Sequence, residues 1–120
     1  MHIVDPKAQE YAERFTSAEE DLLKEISAFT EANHPKAHML SGHLQGKFLE
    51  MVSCMIQPKR ILEIGTFTGY SAVCLTKGLT QEGELHTIEI RPQDAQTAGL
   101  YFQKKDVKRI ILHVGEALDI

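Results

Sequence analysis

Residues 60 to 73 read RILEIGTFTGYSAV. The run Arg60 to Ile64 has the apolar, β-branched character of a buried strand. Gly65 and Gly69 then bracket a short turn, and Tyr70 to Leu79 repeats apolar residues with helical spacing. A carboxylate, Glu63, thus stands at the carboxyl end of a strand, next to backbone that can turn sharply. In an open α/β sheet ligands bind beyond the carboxyl ends of the strands. Glycine at 65 and 69 lets main chain approach a ligand where a Cβ would collide, and helix amides follow that can receive an anionic group.

The same grammar continues to the end of the chain. Gln81 to Glu84 is a turn containing Gly83, Leu85 to Ile90 a second strand, and Pro92 to about Lys104 a second helix. Arg109 to Val114 is a third strand. Strand, helix, strand, helix, strand at these lengths predicts a parallel sheet with right-handed crossovers. The ILEI strand, with a neighbour predicted on one side, exposes an apolar edge on the other.

Absent motifs narrow the ligand. The dinucleotide fingerprint GxGxxG fails because positions 67 and 70 are Phe and Tyr. A P-loop fails because Gly69 is followed by Tyr70 and Ser71, and Glu63 would repel a phosphate. A carboxylate at this place suits a cationic or amine-bearing group. Glu89, at the carboxyl end of the second strand, can accept hydrogen bonds from both hydroxyls of a ribose. A ribose at one end and a cationic amino acid at the other describe S-adenosylmethionine. The plainer alternative has Glu63 capping a turn and Glu89 solvated.

MLSGHLQGKFLEMV followed by EIGTFTGYS resembles the metal-dependent O-methyltransferases of the caffeoyl-coenzyme A and catechol O-methyltransferase type. Their signature joins an M-x-[ST] segment (Met39 to Ser41), a QG-x-FL helix (Gln45 to Leu49) and E-I-G-x-F-T-G-Y-S (Glu63 to Ser71). The resemblance implies a Rossmann-like, three-layer αβα methyltransferase fold with a parallel sheet, cut after the third strand and preceded by N-terminal helices. It implies two regions: a helical cap and dimer segment over 1–58, and the first half of the cofactor domain over 59–120.

It also implies roles. Ser41 and Ser71 would approach the methionine carboxylate, and Glu63, Gly65 and Thr66 would line the methionine part. Glu89 would hold the ribose, Ile90 would flank the adenine, and Ala117 would meet it with its amide. Met39 and Tyr70 would close over the cofactor. S-adenosylmethionine is the implied methyl donor and S-adenosylhomocysteine its product. The acceptor would be a small hydroxylated molecule, and the state of assembly a homodimer. A divalent metal such as magnesium is implied only for a longer chain, with its ligands after Ile120. No catalytic or metal-binding residue is assigned within these residues, so this chain reads as an N-terminal portion, inactive alone. A non-catalytic module binding S-adenosylmethionine or S-adenosylhomocysteine is the second reading, and a fragment that binds nothing is the third.

Composition agrees with a globular unit. The chain has 120 residues, 42% hydrophobic content and a net charge of −4. It can bury a real core, and its acidic balance gives no reason to expect nucleic acid. No apolar run approaches the length of a membrane span, and no signal peptide is visible, which points to the cytoplasm. Cys54 and Cys74 read as reduced and buried.

The N-terminal third predicts helices. Asp5 before Pro6 opens the first, through about Arg14. Ser17 with Glu20 forms a capping box for the second, with Leu22, Leu23, Ile26 and Phe29 as its stripe, stopping at Asn33 before Pro35. The third covers about 42 to 57, with Leu44, Phe48, Leu49, Val52, Met55 and Ile56 inward and Met51 also in the core. His34, His38 and His43 are not read as a metal site, since Pro35 breaks the helix that would align the first two. His113 reads as packed or hydrogen-bonded, Lys36 as a surface lysine, and the basic run 104–109 as a solvated face.

Overall fold

The computed structural model describes residues 3–104, 107 and 109–120. The basic run 104–109 therefore lies partly outside the described residues. Among the described residues five α-helices and three strands follow in the order α1 (Pro6–Arg14), α2 (Asp21–Asn33), α3 (Gly42–Ile56), β1 (Arg60–Ile64), α4 (Tyr70–Leu75), β2 (Glu84–Glu89), α5 (Pro92–Lys104) and β3 (Ile110–Val114). Short 3₁₀ turns occupy Ala37–Met39, Thr76–Gly78 and Ala117–Asp119.

The strands form one parallel sheet in the order β1-β2-β3. Register places Ile61, Leu85 and Ile110 side by side, and Glu63 beside Thr87 and Leu112. Alternation then puts Ile61, Glu63, Leu85, Thr87 and Glu89 on one face. That face meets the helices. Leu22, Leu23 and Ile26 of α2, Tyr70, Ala72 and Val73 of α4, and Ala98 and Phe102 of α5 close the core over Leu85.

The opposite face carries Leu62, Ile64, His86, Ile111 and His113, all exposed or half-exposed. Of the three layers expected, the described residues supply two. Leu62 is 66% and Ile64 71% exposed, and among the described residues β1 pairs only with β2. His113 lies against His86, with Nε2 3.0 Å from His86 Nδ1.

Local chemistry sets most helix ends. Asp5 Oδ1 accepts the Lys7 amide at 2.8 Å, and Pro6 occupies the first turn. α2 stops at Asn33, and His34 before Pro35 is extended. The capping box is a correction: α2 starts at Asp21 with no side-chain cap. Glu20 turns away to pair with Lys77 at 2.6 Å, and the Ser17 carbonyl accepts from His43 Nε2 at 2.7 Å.

The core face of α3 is the second correction. Its buried residues are Gly46 and Ser53, while Phe48, Met51, Met55 and Ile56 are exposed. The physical reason is close backbone approach. A Cβ on Gly78 would lie 2.0 Å from the Ser53 carbonyl oxygen, so α3 and the turn after α4 touch main chain to main chain. Ser53 Oγ donates to the Leu75 carbonyl at 2.5 Å and accepts the Gly78 amide at 3.1 Å. With small residues filling that contact, Leu49 packs against the core, Leu44 and Val52 are half-buried, and Phe48, Met51, Met55 and Ile56 point outward. Cys54 goes with them and is exposed, whereas Cys74 is buried; both are free thiols. Phe29 of α2 is likewise exposed, at the edge of its stripe. Among the described residues no helix is long and apolar enough to cross a membrane.

Candidate functional site

The carboxyl ends of the strands carry the site. Beyond β1 the chain reverses through Gly65 (φ +95°), Phe67 (φ +54°) and Gly69 (φ +101°). The amides of Gly65 and Thr66 both donate to the Ile88 carbonyl, at 2.8 and 3.2 Å, which folds the loop back over β2. A Cβ at Gly65 would meet no protein atom within 4 Å, although the residue lines a cavity. Gly69 differs, since a Cβ there would strike the Phe102 ring at 2.8 Å. Phe67 is a non-glycine residue in left-handed backbone, a placement that costs about 1 to 2 kcal/mol and needs compensation.

Glu89 supplies it. Its carboxylate is buried, 6% exposed, and Oε1 accepts the Phe67 amide at 2.7 Å. Oε2 accepts the Arg91 amide at 3.0 Å. One side chain thus ties together the loops after β1 and after β2. Each carboxylate oxygen has two lone pairs, so capacity remains for donors from a ligand.

Glu63 sits one strand away with a different set of partners. Ser71 Oγ donates to Oε2 at 2.5 Å and Thr87 Oγ1 to Oε1 at 2.7 Å. Because the single Thr87 proton goes to Glu63, Thr66 Oγ1, 2.6 Å from Thr87, must be the donor of that bond. The same logic makes Thr68 donate to Thr30, whose own proton goes to the Ile26 carbonyl at 2.6 Å. Burial pushes the Glu63 carboxyl above its ordinary range; the two hydroxyls pull it down, and Glu89 adds a smaller upward push. An anion raised by burial and a like charge is one that a cation would relieve.

The cavity itself has a volume of about 360 Å³ and is lined by Ile64, Gly65, Ile88, Glu89, Ile90 and the segment Gly115 to Leu118. Its apolar walls, with one buried carboxylate at the rim, suit a flat heterocycle carrying a hydroxylated arm. The volume falls in the lower part of the roughly 300–1,000 Å³ usual for small-molecule sites. A larger cleft of about 730 Å³ lies at the amino ends of the strands, between Glu20, Lys77, Leu79 and Arg109. Lys77 and Glu20 already neutralise each other there, so the carboxyl-end cavity is the better ligand site.

Four residues singled out from the sequence, Gly65, Glu89, Ile90 and Ala117, gather on this cavity. Glu63 and Ser71 meet each other beside it. Thr66 is buried with its hydroxyl turned to Thr87, so only its backbone faces the loop. Tyr70 does not match the expected closure over a cofactor. Its ring is 2% exposed, packed on Gly46 and Cys74, and its hydroxyl donates to Glu19. Burial and the adjacent Glu19 push that hydroxyl upward, so it remains a donor. Met39 and Ser41 stand outside the cavity, on the connection between α2 and α3, with Met39 exposed.

Sequence reasoning missed Thr87, Glu116 and Leu118. Period two along β2 could have found Thr87, which shares a face with Glu89 two residues on and with Glu63 in register. Glu116 and Leu118 lie in an irregular segment whose side-chain directions no periodicity fixes.

The O-methyltransferase family matches residues 13–120. A catechol O-methyltransferase from Mycobacterium tuberculosis is 41% identical over 76 residues, 62% of this chain and 34% of its own length. One from Niastella koreensis is 32% identical over 100 residues, 82% of this chain and 44% of its own length. Among solved structures, an O-methyltransferase from Streptomyces achromogenes in complex with SAM superposes with a TM-score of 0.82 at 34% identity. That superposition covers 95% of this chain and 51% of the other. The SAH-bound methyltransferase from Podospora anserina gives 0.85 at 32%, covering 92% and 48%. The chain therefore spans about half the length of these solved relatives, or less. The parallel sheet, the loop after β1, the cavity at the strand ends and the family match together show that this chain belongs to the O-methyltransferase family.

Proposed function

We propose that these residues form the S-adenosylmethionine-binding part of an O-methyltransferase acting on a hydroxyl of a small phenolic, catechol-like acceptor. The observation that carries the reading is the pair of acidic strand ends with unequal surroundings. Glu89 is buried at the rim of an apolar cavity, while Glu63 is raised by burial and lacks a cation partner among its contacts. The names of the relatives support the methyl donor and the acceptor class.

Bound S-adenosylmethionine supplies an electrophilic methyl group on a sulfonium. The chain's own work is to hold and orient. Glu89 accepts from ribose hydroxyls with the lone pairs its two backbone bonds leave free. Ile90 would flank the adenine as an apolar neighbour, and Ala117 would meet it with its backbone amide. Glu63 would lie near the ammonium, with Ser41 and Ser71 toward the carboxylate; the Ser71 hydroxyl proton, on Glu63 in the free chain, would have to turn to that carboxylate. Fixing the donor in this way is where positioning contributes, up to about 7 to 11 kcal/mol in well-aligned cases. Among the described residues no three His, Cys, Asp or Glu side chains gather to hold a metal.

In this reading residues 1–58 act as cap and association helices and 59–120 as the nucleoside-binding half. The chain alone binds the cofactor and does not turn over. Self-association through the apolar β1 edge or the N-terminal helices gives a homodimer. Calorimetric titration of the chain with S-adenosylhomocysteine tests the central claim. Saturable one-site binding that Glu89→Ala abolishes supports it. Equal affinity in Glu89→Ala would put the ligand elsewhere.

A further inference from the structure

Glu89 is oriented by the amide of Phe67, and Phe67 is in left-handed backbone. What braces Phe67 from outside is His34. Their rings meet edge to face, with centroids 4.5 Å apart at 71°. His34 stands just after α2, and its two nitrogens have distinct tasks. Nδ1 accepts the Lys36 amide at 2.9 Å, so that nitrogen carries no proton. In the neutral ring the proton is then on Nε2, which donates to Asp94 Oδ1 at 2.9 Å. Asp94 lies in the first turn of α5, is buried, and has Arg91 Nη1 at 3.8 Å from its other oxygen.

One imidazole therefore touches three separate segments. It fixes the start of the connection that carries Met39 and Ser41, leans on the loop after β1, and anchors to the helix after β2. Two of these adjoin Glu89, the loop after β1 through the Phe67 amide and the approach to α5 through the Arg91 amide. A phenylalanine at 34 could fill the ring's place and would make neither hydrogen bond. The half-buried, doubly bonded histidine reads as a brace with a set orientation.

We propose that His34 is a positioning residue of the nucleoside site, holding Phe67 over Glu89 through its bond to Asp94. The inference deepens the cofactor reading and rests on it for the identity of the ligand, but its geometry can be tested without any ligand.

The first arm is amide hydrogen exchange on the free chain. His34→Ala should speed exchange at the Phe67 amide roughly tenfold. The Gly65 amide, bonded to the Ile88 carbonyl at 2.8 Å, should stay as in the wild type. His34→Gln, whose side-chain N–H can still reach Asp94, should restore most of the Phe67 protection. The second arm is S-adenosylhomocysteine affinity, which should fall roughly five- to tenfold in His34→Ala and recover in His34→Gln. Unchanged exchange at Phe67 overturns the proposal. So does a uniform loss at Gly65 and Phe67 alike, which would make His34 a general stabiliser of the fold. Loosening at Phe67 with unaltered affinity overturns the link to the site. A wild-type chain that binds no S-adenosylhomocysteine sinks the cofactor reading instead, and the exchange arm still decides the role of His34.

Discussion

Gly46 of α3 and Tyr70 of α4 are in direct contact: a Cβ added to Gly46 would lie 2.7 Å from the Tyr70 ring and 2.9 Å from Cys74 Sγ. The two residues come from the two halves of the sequence signature, QGKFL and EIGTFTGYS. Their spacing in the chain hides a packing reason for both. The glycine is small so that the tyrosine ring can be buried, and the buried ring holds the start of α4 against α3.

Gly46→Ala should therefore destabilise the chain, against the usual rule for a helix interior. Alanine there gains roughly 0.5–1 kcal/mol in backbone entropy. Overpacking against a ring and a sulfur that are themselves buried costs about 1–3 kcal/mol. Thermal unfolding followed by circular dichroism should show a lower midpoint; a raised one would mean that the Tyr70 ring moves aside freely.

Glu63 gives a pH dependence with a definite sign. Burial raises its pKa above the ordinary 4.5, so the folded chain binds more protons than the unfolded one between that value and the raised one. Through this group stability falls as pH rises across the window, and it is gained on acidification. Affinity for S-adenosylhomocysteine should run the other way, weakening as pH falls through the raised pKa and the carboxylate loses its charge. Glu63→Gln should bind roughly tenfold more weakly at neutral pH or worse, as expected for losing a charged hydrogen bond, and should flatten that pH response. Calorimetry at several pH values reads both.

The two thiols should behave differently. Cys54 is exposed, whereas Cys74 is buried and its thiol is pushed up to about 12, chiefly by burial. A thiol reagent at mildly alkaline pH should modify Cys54 quickly and Cys74 only on unfolding. Rapid loss of both thiols in the native chain, counted by mass spectrometry, would contradict this packing.

The edge of β1 predicts association. Among the described residues β1 pairs on one side only, and Leu62 and Ile64 project onto an open sheet face. The chain should sediment as a dimer or larger at tens of micromolar, and Leu62→Lys should shift it toward monomer. An unaltered distribution in that variant would move the interface to the exposed side chains of α3.

Much of the fold was legible because its signals are local. The short apolar runs of β1, β2 and β3, the Asp5–Pro6 start of α1 and the Pro35 stop of α2 each depend on a few adjacent residues. Glu63 and Glu89 could be placed at neighbouring strand tips because period two and strand length fix where a side chain ends up. The capping box failed because Glu20 had a better partner, Lys77, 57 residues away in the chain. The stripe of α3 holds only in part: Leu49 packs against the core, while close backbone approach selects small residues at the contact and leaves Phe48, Met51, Met55 and Ile56 exposed.

The sequence by itself determined which segments are strands and helices and which chemistry lies at their ends. Only the tertiary structure decided how that chemistry is held. Glu89 grips Phe67 and Arg91, His34 braces Phe67 from the end of α2, Thr87 donates its proton to Glu63, and Tyr70 turns into the core. The physical reason is range. Backbone preference and side-chain alternation act over a few residues, whereas a hydrogen-bond partner or a contacting atom is chosen by which distant segments packing brings together.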